Sequence, residues 1–192
     1  MICDAGGTDC TGRICEIRIR QAAKDDLEPL ADLWRRSVEA THHFLPSGEV
    51  ERLFHDVRNV CLPGVECVWV AELAPCGQDA PVRRMHAQQA PARQTHGQHV
   101  AGGPLAGFIG CNGAQVEMLF VEPCCFGHGV GRALLAHVRA RHPRLTLDVN
   151  EQNPQALAFY EGQGFTVVGR SALDGQGNPY PLLHMEWQGE TA

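Results

Sequence analysis

The stretch Cys125-Phe126-Gly127-His128-Gly129-Val130-Gly131 constrains this chain more than any other. It follows the β-prone run Val116 to Val121. It precedes a helix-patterned segment, Val130 to Arg141, with Leu134, Leu135 and Val138 at helical spacing. Alternate glycines let successive backbone N–H groups turn inward together. The helix behind them points its positive end at the same spot, so the loop reads as an anion cradle suited to phosphate. From these residues alone, a glycine-rich turn that binds nothing is an equal alternative. Either way, a strand, a glycine loop and a helix in succession ask for a sheet flanked by helices.

Two nucleotide folds can be tested against this loop. A P-loop needs Gly-Lys-Ser or Gly-Lys-Thr, which the sequence lacks. A dinucleotide fold needs G-x-G-x-x-G with an acidic residue about 20 positions later. The spacing here is G-x-G-x-G, although Asp148 lies near the required distance. That motif normally opens a sheet, with several strand–helix units to follow, and only 44 residues follow Asp148.

Upstream, Glu16 to Arg20 alternates with the period of two of a half-buried strand. Asp25 opens a helix with Glu28 as capping-box partner, and Leu27, Leu30, Ala31, Trp34, Val38 and Thr41 follow at helical spacing. After Pro46 comes a second helix, carrying Val50, Leu53, Phe54, Val57 and Cys61 and closed by Pro63-Gly64. Cys67 to Leu73 and Leu105 to Cys111 have strand character. Asn112-Gly113 is a tight-turn signal that makes Leu105–Cys111 and Val116–Val121 a hairpin. Leu145 to Val149 is a further strand. Asn153 caps another helix with Pro154 in its first position, and Gly164 closes it. Phe165–Gly169 and Leu182–Trp187 finish as strands.

The segment 75–104 breaks this pattern. Of its 30 residues, 21 are Gly, Gln, Ala, Pro or His. Too few apolar residues remain to offset the entropy of ordering it, so it is expected to be a flexible insertion between two strands. His96 and His99 within it have the spacing of a metal-binding pair, but ordinary low-complexity sequence accounts for them better. At 192 residues the remainder, 14–188, fits one domain, with 1–13 and 189–192 as tails.

A formal charge of −6 without a basic stripe argues against a nucleic-acid surface. No apolar run approaches the roughly 18 residues of a membrane span. The nine cysteines include no C-x-x-C pair, which fits reduced thiols in a cytoplasmic protein and no metal centre.

The segment from Asn153 to Phe165, N-P-Q-A-L-A-F-Y-E-G-Q-G-F, resembles the signature N-x-x-A-x-x-F-Y-x-x-x-G-F of the GNAT acetyltransferases at every defined position. The family's Q/R-x-x-G-x-G/A loop falls on Phe126 to Gly131, with Phe126 departing from the usual Gln or Arg. Arg36 to His42, Val149 to Asn153, and Gly169 to Ser171 running on to Asp174 and Pro179 to Leu183 are similar to one bacterial branch, the YjaB-like acetyltransferases.

The resemblance implies a mixed α/β fold. Its central, mostly antiparallel sheet splays open at the acetyl-CoA site and is flanked by about four helices. It implies acetyl-CoA as cosubstrate, with pantetheine along Leu119, Phe120 and Val121 and beside Asn153. Pyrophosphate would lie at Gly127, His128, Gly129, Val130, Gly131 and Arg132. Tyr160 would be the acid that protonates the leaving thiolate. Glu117, on the strand beside the carbonyl site, is the candidate base, working through water, with a solvent-facing strand residue as the equal alternative. His42, Phe44 and Tyr180 would wall the acceptor side. The acceptor is an amine, and the branch favours a protein or peptide lysine. A small amine, or a non-catalytic module that binds acetyl-CoA, are the alternatives. The chain is expected to act as a monomer or homodimer.

Overall fold

In a computed structural model, residues 16–73 and 103–189 are described, apart from the Ser47 side chain. The expected N-terminal tail, almost all of the expected insertion with its His96–His99 pair, and residues 190–192 lie outside the described residues.

The strands are β1 (Ile17–Gln21), β2 (Cys67–Leu73), β3 (Leu105–Asn112), β4 (Gln115–Val121), β5 (Arg144–Asn150), β6 (Thr166–Ser171) and β7 (Leu182–Gln188). They form one sheet in the order β1-β2-β3-β4-β5-β7-β6. Every neighbouring pair is antiparallel except β4 and β5. Those two run parallel and pair through only two rungs, Gln115↔Thr146 and Val116↔Leu147. Beyond Val116 and Leu147 the strands separate, and the sheet forks there.

Helices cover both faces. α1 (Leu27–Thr41) is followed by α2 (Ser47–Asp56), which continues through a π turn (Val57–Cys61) into the short α3 (Leu62–Gly64). α4 (Val130–Arg139) and α5 (Pro154–Gly162) come later. α1 buries Leu30, Ala31, Trp34 and Val38 of the stripe its sequence spacing predicts, and Leu33 and Ser37 besides. These residues pack with Val68, Val70 and Phe108 into one core. On the opposite face, Val130, Leu134, Leu135 and Val138 of α4 and Tyr160 of α5 join Leu145, Leu147 and Val149 in a second core. Leu145, Leu147 and Val149 therefore face α4 and α5. By the period of two, Thr146, Asp148 and Asn150 face the other way.

Two details differ from expectation. The first helix does not open at Asp25 with a Glu28 capping box. A 3-10 turn at Lys24–Asp26 comes first and α1 begins at Leu27. The reason is Asp26, whose carboxylate accepts the Ala23 N–H at 2.6 Å and Arg20 at 2.6 and 3.0 Å, tying the turn to β1. The hairpin of β3 and β4 also carries a bulge. Met118 pairs with Gly110 and Val116 with Cys111, which leaves Glu117 as the extra residue. Among the described residues no helix is long and apolar enough to cross a membrane.

Candidate active site

The fork opens into a cleft of about 510 Å³. Past Val116, β4 keeps a partner on one side only, β3, so alternate N–H and C=O groups of Glu117–Val121 face the gap. Leu119, Phe120 and Val121 line it.

One end of the cleft is formed by the glycine loop. Gly127 (φ 77°) and Gly129 (φ 84°) hold left-handed backbone, and a Cβ at either would meet nothing within 4 Å of protein. The loop therefore needs glycine for its turn and leaves open space in front of it. The first helical bond of α4 runs from the Ala133 N–H to the Gly129 carbonyl at 2.9 Å. The N–H groups of Val130, Gly131 and Arg132 lie ahead of that bond, free to meet an anion. Gly131 has a different duty as well: a Cβ there would stand 3.1 Å from Phe159 Cζ, so its smallness lets α4 lie against α5. Phe126, Gly127, Gly129, Val130, Gly131 and Arg132 all line the cleft. His128 does not; its Nδ1 turns back to the Phe126 carbonyl at 2.9 Å. A bidentate ion pair from Arg36 on α1 to Glu122, with a closest approach of 2.7 Å, fastens the approach to this loop.

In the middle stand two buried polar groups. Asn153 is 6% exposed, and its Oδ1 caps α5 by accepting the Ala156 N–H at 3.1 Å. With Oδ1 engaged, its amide N–H₂ has no partner among the described residues and the side chain lines the cleft. Tyr160 is 9% exposed, held between Phe159 and Phe165 at ring distances of 5.3 and 5.6 Å. Its hydroxyl also has no hydrogen-bond partner among the described residues, and the residue lines the cleft. Burial pushes this phenol well above the usual tyrosine range, so it stays protonated at any working pH.

The far end is built of side chains. Glu117 and Asp148 are the residues immediately after the last β4–β5 rung, and both line the cleft. The Asn112 amide donates to Glu117 Oε1 at 3.2 Å. His42 follows the C-terminus of α1. Thr41 Oγ1 donates its single proton to the Ser37 carbonyl at 2.7 Å, so the 2.8 Å contact between Thr41 Oγ1 and His42 Nδ1 requires the proton on the imidazole. Nε2 then carries a lone pair. Burial, with the neighbouring His43 adding to it, pushes the His42 imidazole down to about 4, so it is neutral near pH 7. Phe44 and Tyr180 are not on the lining but stand behind it. Ring centroids are 5.4 Å apart for His42–Phe44 and 6.1 Å for Phe44–Tyr180.

Every site residue that sequence reasoning singled out thus falls on or beside this cleft, His128 being turned from it. Ser37, Asn150 and Gln155 also line it and carry no site reading in the sequence. Asp148 was visible only as a possible ribose-binding acid. Among the described residues, no group of three or more His, Cys, Asp or Glu side chains could hold a metal ion.

The profile of the acetyltransferase (GNAT) domain matches residues 72–188. The peptidyl-lysine N-acetyltransferase YjaB of Salmonella typhimurium is 37% identical over 172 residues, covering 88% of this chain and 97% of that protein. The solution structure of apo YjaB from Escherichia coli superposes with a TM-score of 0.70 at 35% identity, covering 91% of this chain and 99% of that one. A PaiA N-acetyltransferase from Thermoplasma acidophilum, solved with coenzyme A, shares the fold with a TM-score of 0.56 at 20% identity, over 90% of this chain and 99% of that one.

Proposed function

The chain belongs to the GNAT acetyltransferase family and is an acetyl-CoA-dependent N-acetyltransferase; we propose that its acceptor is the side-chain amine of a lysine in a peptide or protein. One arrangement carries the reading. The fork opens the sheet from the glycine-loop face to the carboxylate-bearing face, with Tyr160 between them, nine-tenths buried and its hydroxyl unpartnered among the described residues. An acceptor that enters from the far face must be slender and can be cationic, and a lysine side chain is both. The likeness to a peptidyl-lysine acetyltransferase over most of the chain supports the same choice.

In this reading the pyrophosphate of acetyl-CoA meets the N–H groups of Gly127 to Arg132, and pantetheine lies along Leu119–Val121 as an added strand. The Asn153 amide serves the same arm. An N–H of β4 polarises the thioester carbonyl as negative charge grows on its oxygen. A lysine ammonium has a pKa of about 10.4 and must lose a proton before it attacks; Glu117 takes that proton through water. The N–C bond forms and the C–S bond breaks. Tyr160 gives its proton to the departing sulfur, and the second proton shed by nitrogen restores the phenol. One proton is released overall. A cytoplasmic monomer or homodimer is part of the same proposal.

The test is thiol release from acetyl-CoA against lysine peptides, polyamines and aminoglycosides. Lysine peptides should show the highest kcat/KM. A preferred polyamine or aminoglycoside would replace the lysine reading with a small-amine one. Coenzyme A binding without thiol release on any amine would reduce the chain to a binding module.

A further inference from the structure

Glu117 and Asp148 occupy equivalent places on the two arms of the fork. They follow directly on the last rung, Val116↔Leu147, and both line the cleft. Asp148 points to the face away from α4 and α5, since Leu147 and Val149 on either side of it are in that core. Its side chain is 42% exposed, so packing does not require it.

Asp148 is nevertheless held. His184, its cross-strand partner on β7, brings Nδ1 to 2.6 Å from Asp148 Oδ1, and His184 Nε2 lies 2.7 Å from Ser171 Oγ on β6. With Nδ1–H donating to the carboxylate, Nε2 accepts from the serine hydroxyl, and the line is satisfied from end to end. Gly169 makes room for it, because a Cβ there would stand 3.2 Å from His184 Cδ2. Arg170 is engaged with Glu151 at 2.7 Å, and Arg132, on the glycine loop of the same cleft, makes no ion pair with Asp148. Among the described residues, then, Asp148 is fixed through one oxygen by His184 and meets no arginine or lysine. Tyr160 and Asn153, each more than nine-tenths buried and each with a polar group toward the cleft that has no partner among the described residues, independently mark it as a place where a ligand sits.

We propose that Asp148, oriented by His184 and Ser171, is the anchor for the cationic acceptor. Its second oxygen takes one N–H of the incoming amine across the fork from Glu117. The two carboxylates attract the ammonium form. Once Glu117 has removed a proton, the bond to Asp148 keeps the nitrogen in place with its lone pair free for the thioester. Asp148 touches substrate; His184 and Ser171 are positioning residues that act through it. The inference rests on the proposed acceptor class and adds the group that recognises it.

The experiment is steady-state kinetics on the full chain with a lysine peptide and acetyl-CoA, alongside coenzyme A affinity by calorimetry. Asp148→Asn should raise the peptide KM about 10- to 100-fold, the loss of a hydrogen bond to a charged group, with acetyl-CoA KM and coenzyme A affinity unchanged. His184→Ala should raise the peptide KM in the same direction. His184→Asn, whose amide can stand where Nδ1 stood, should restore most of it. An unchanged peptide KM in Asp148→Asn overturns the anchor, and His184→Asn behaving like His184→Ala overturns the positioning line. A wild type that acetylates polyamines but no lysine peptide refutes the lysine reading instead, and the anchor is then decided by the polyamine KM in the same variants.

Discussion

At the phosphate end of the cleft the walls are backbone, supplied by consecutive residues 126–132; at the acceptor end they are side chains brought from residues 42, 117 and 148, with 44 and 180 behind. A backbone site needs only the right turn, here two glycines at positive φ and a helix N-terminus. It can hold one ligand chemistry while the surrounding side chains vary. A side-chain site depends on the identity and placement of each group, so it is where a choice among amines can be made. On the proposed reading, cosubstrate affinity belongs to one end and acceptor selection to the other, with Tyr160 at the junction.

The largest effect is expected at that junction. Tyr160→Phe keeps the ring between Phe159 and Phe165 but removes the hydroxyl. A proton donor acts only as the C–S bond breaks, so kcat should fall about 10²- to 10⁴-fold while coenzyme A affinity and melting temperature persist. A near-normal single-turnover rate would leave the two ends without a common catalytic point.

His42 sharpens the comparison from the acceptor side. Its imidazole titrates at about 4 in the folded chain against 6.5 when unfolded. Between those values the unfolded chain binds a proton that the folded chain refuses. Stability is therefore lost as pH falls through the window. Denaturant titrations at pH 7 and pH 4.5 should show His42→Gln losing about 2 kcal/mol less than wild type over that interval. Equal losses would mean that His42 is not held neutral by burial.

At the other end, Gly129→Val should raise the coenzyme A dissociation constant at least about tenfold, since protein leaves the space before Gly129 empty and the added side chain meets only ligand. Gly129→Asn, which tolerates positive φ, separates crowding from backbone strain. Normal coenzyme A binding by Gly129→Val would misplace the backbone site. The smallest effect belongs to Phe126, a half-exposed residue on the same loop. Phe126→Gln should leave coenzyme A affinity unchanged or improve it about threefold, because the backbone does most of the holding. A clear loss would show that a side chain matters where only backbone is expected to.

The same contrast explains what the sequence made legible. The order of strands and helices, the hairpin at Asn112-Gly113 and the Asn153 cap follow from local rules, and so does the glycine loop. Each is written in adjacent residues. The fork was not readable from pattern, because Gln115–Val121 looks like any strand whether it has one neighbour or two. Nor was the Glu117 bulge, which exists only in the register of β3 against β4. The line from Asp148 to His184 to Ser171 joins residues 36 and 13 positions apart, and nothing local announces it. The first helix start was misjudged because Arg20, on the preceding strand, holds Asp26.

On the proposed reading, the two ends of the cleft open onto one point through the fork. A compound that joins the coenzyme A sulfur through an acetyl bridge to the Nζ of a lysine peptide tests it without altering any residue. If both ends are engaged at once, the linked compound should bind about 10²- to 10⁴-fold more tightly than coenzyme A alone and compete with both substrates. Binding no tighter than coenzyme A, with competition against acetyl-CoA only, would contradict it.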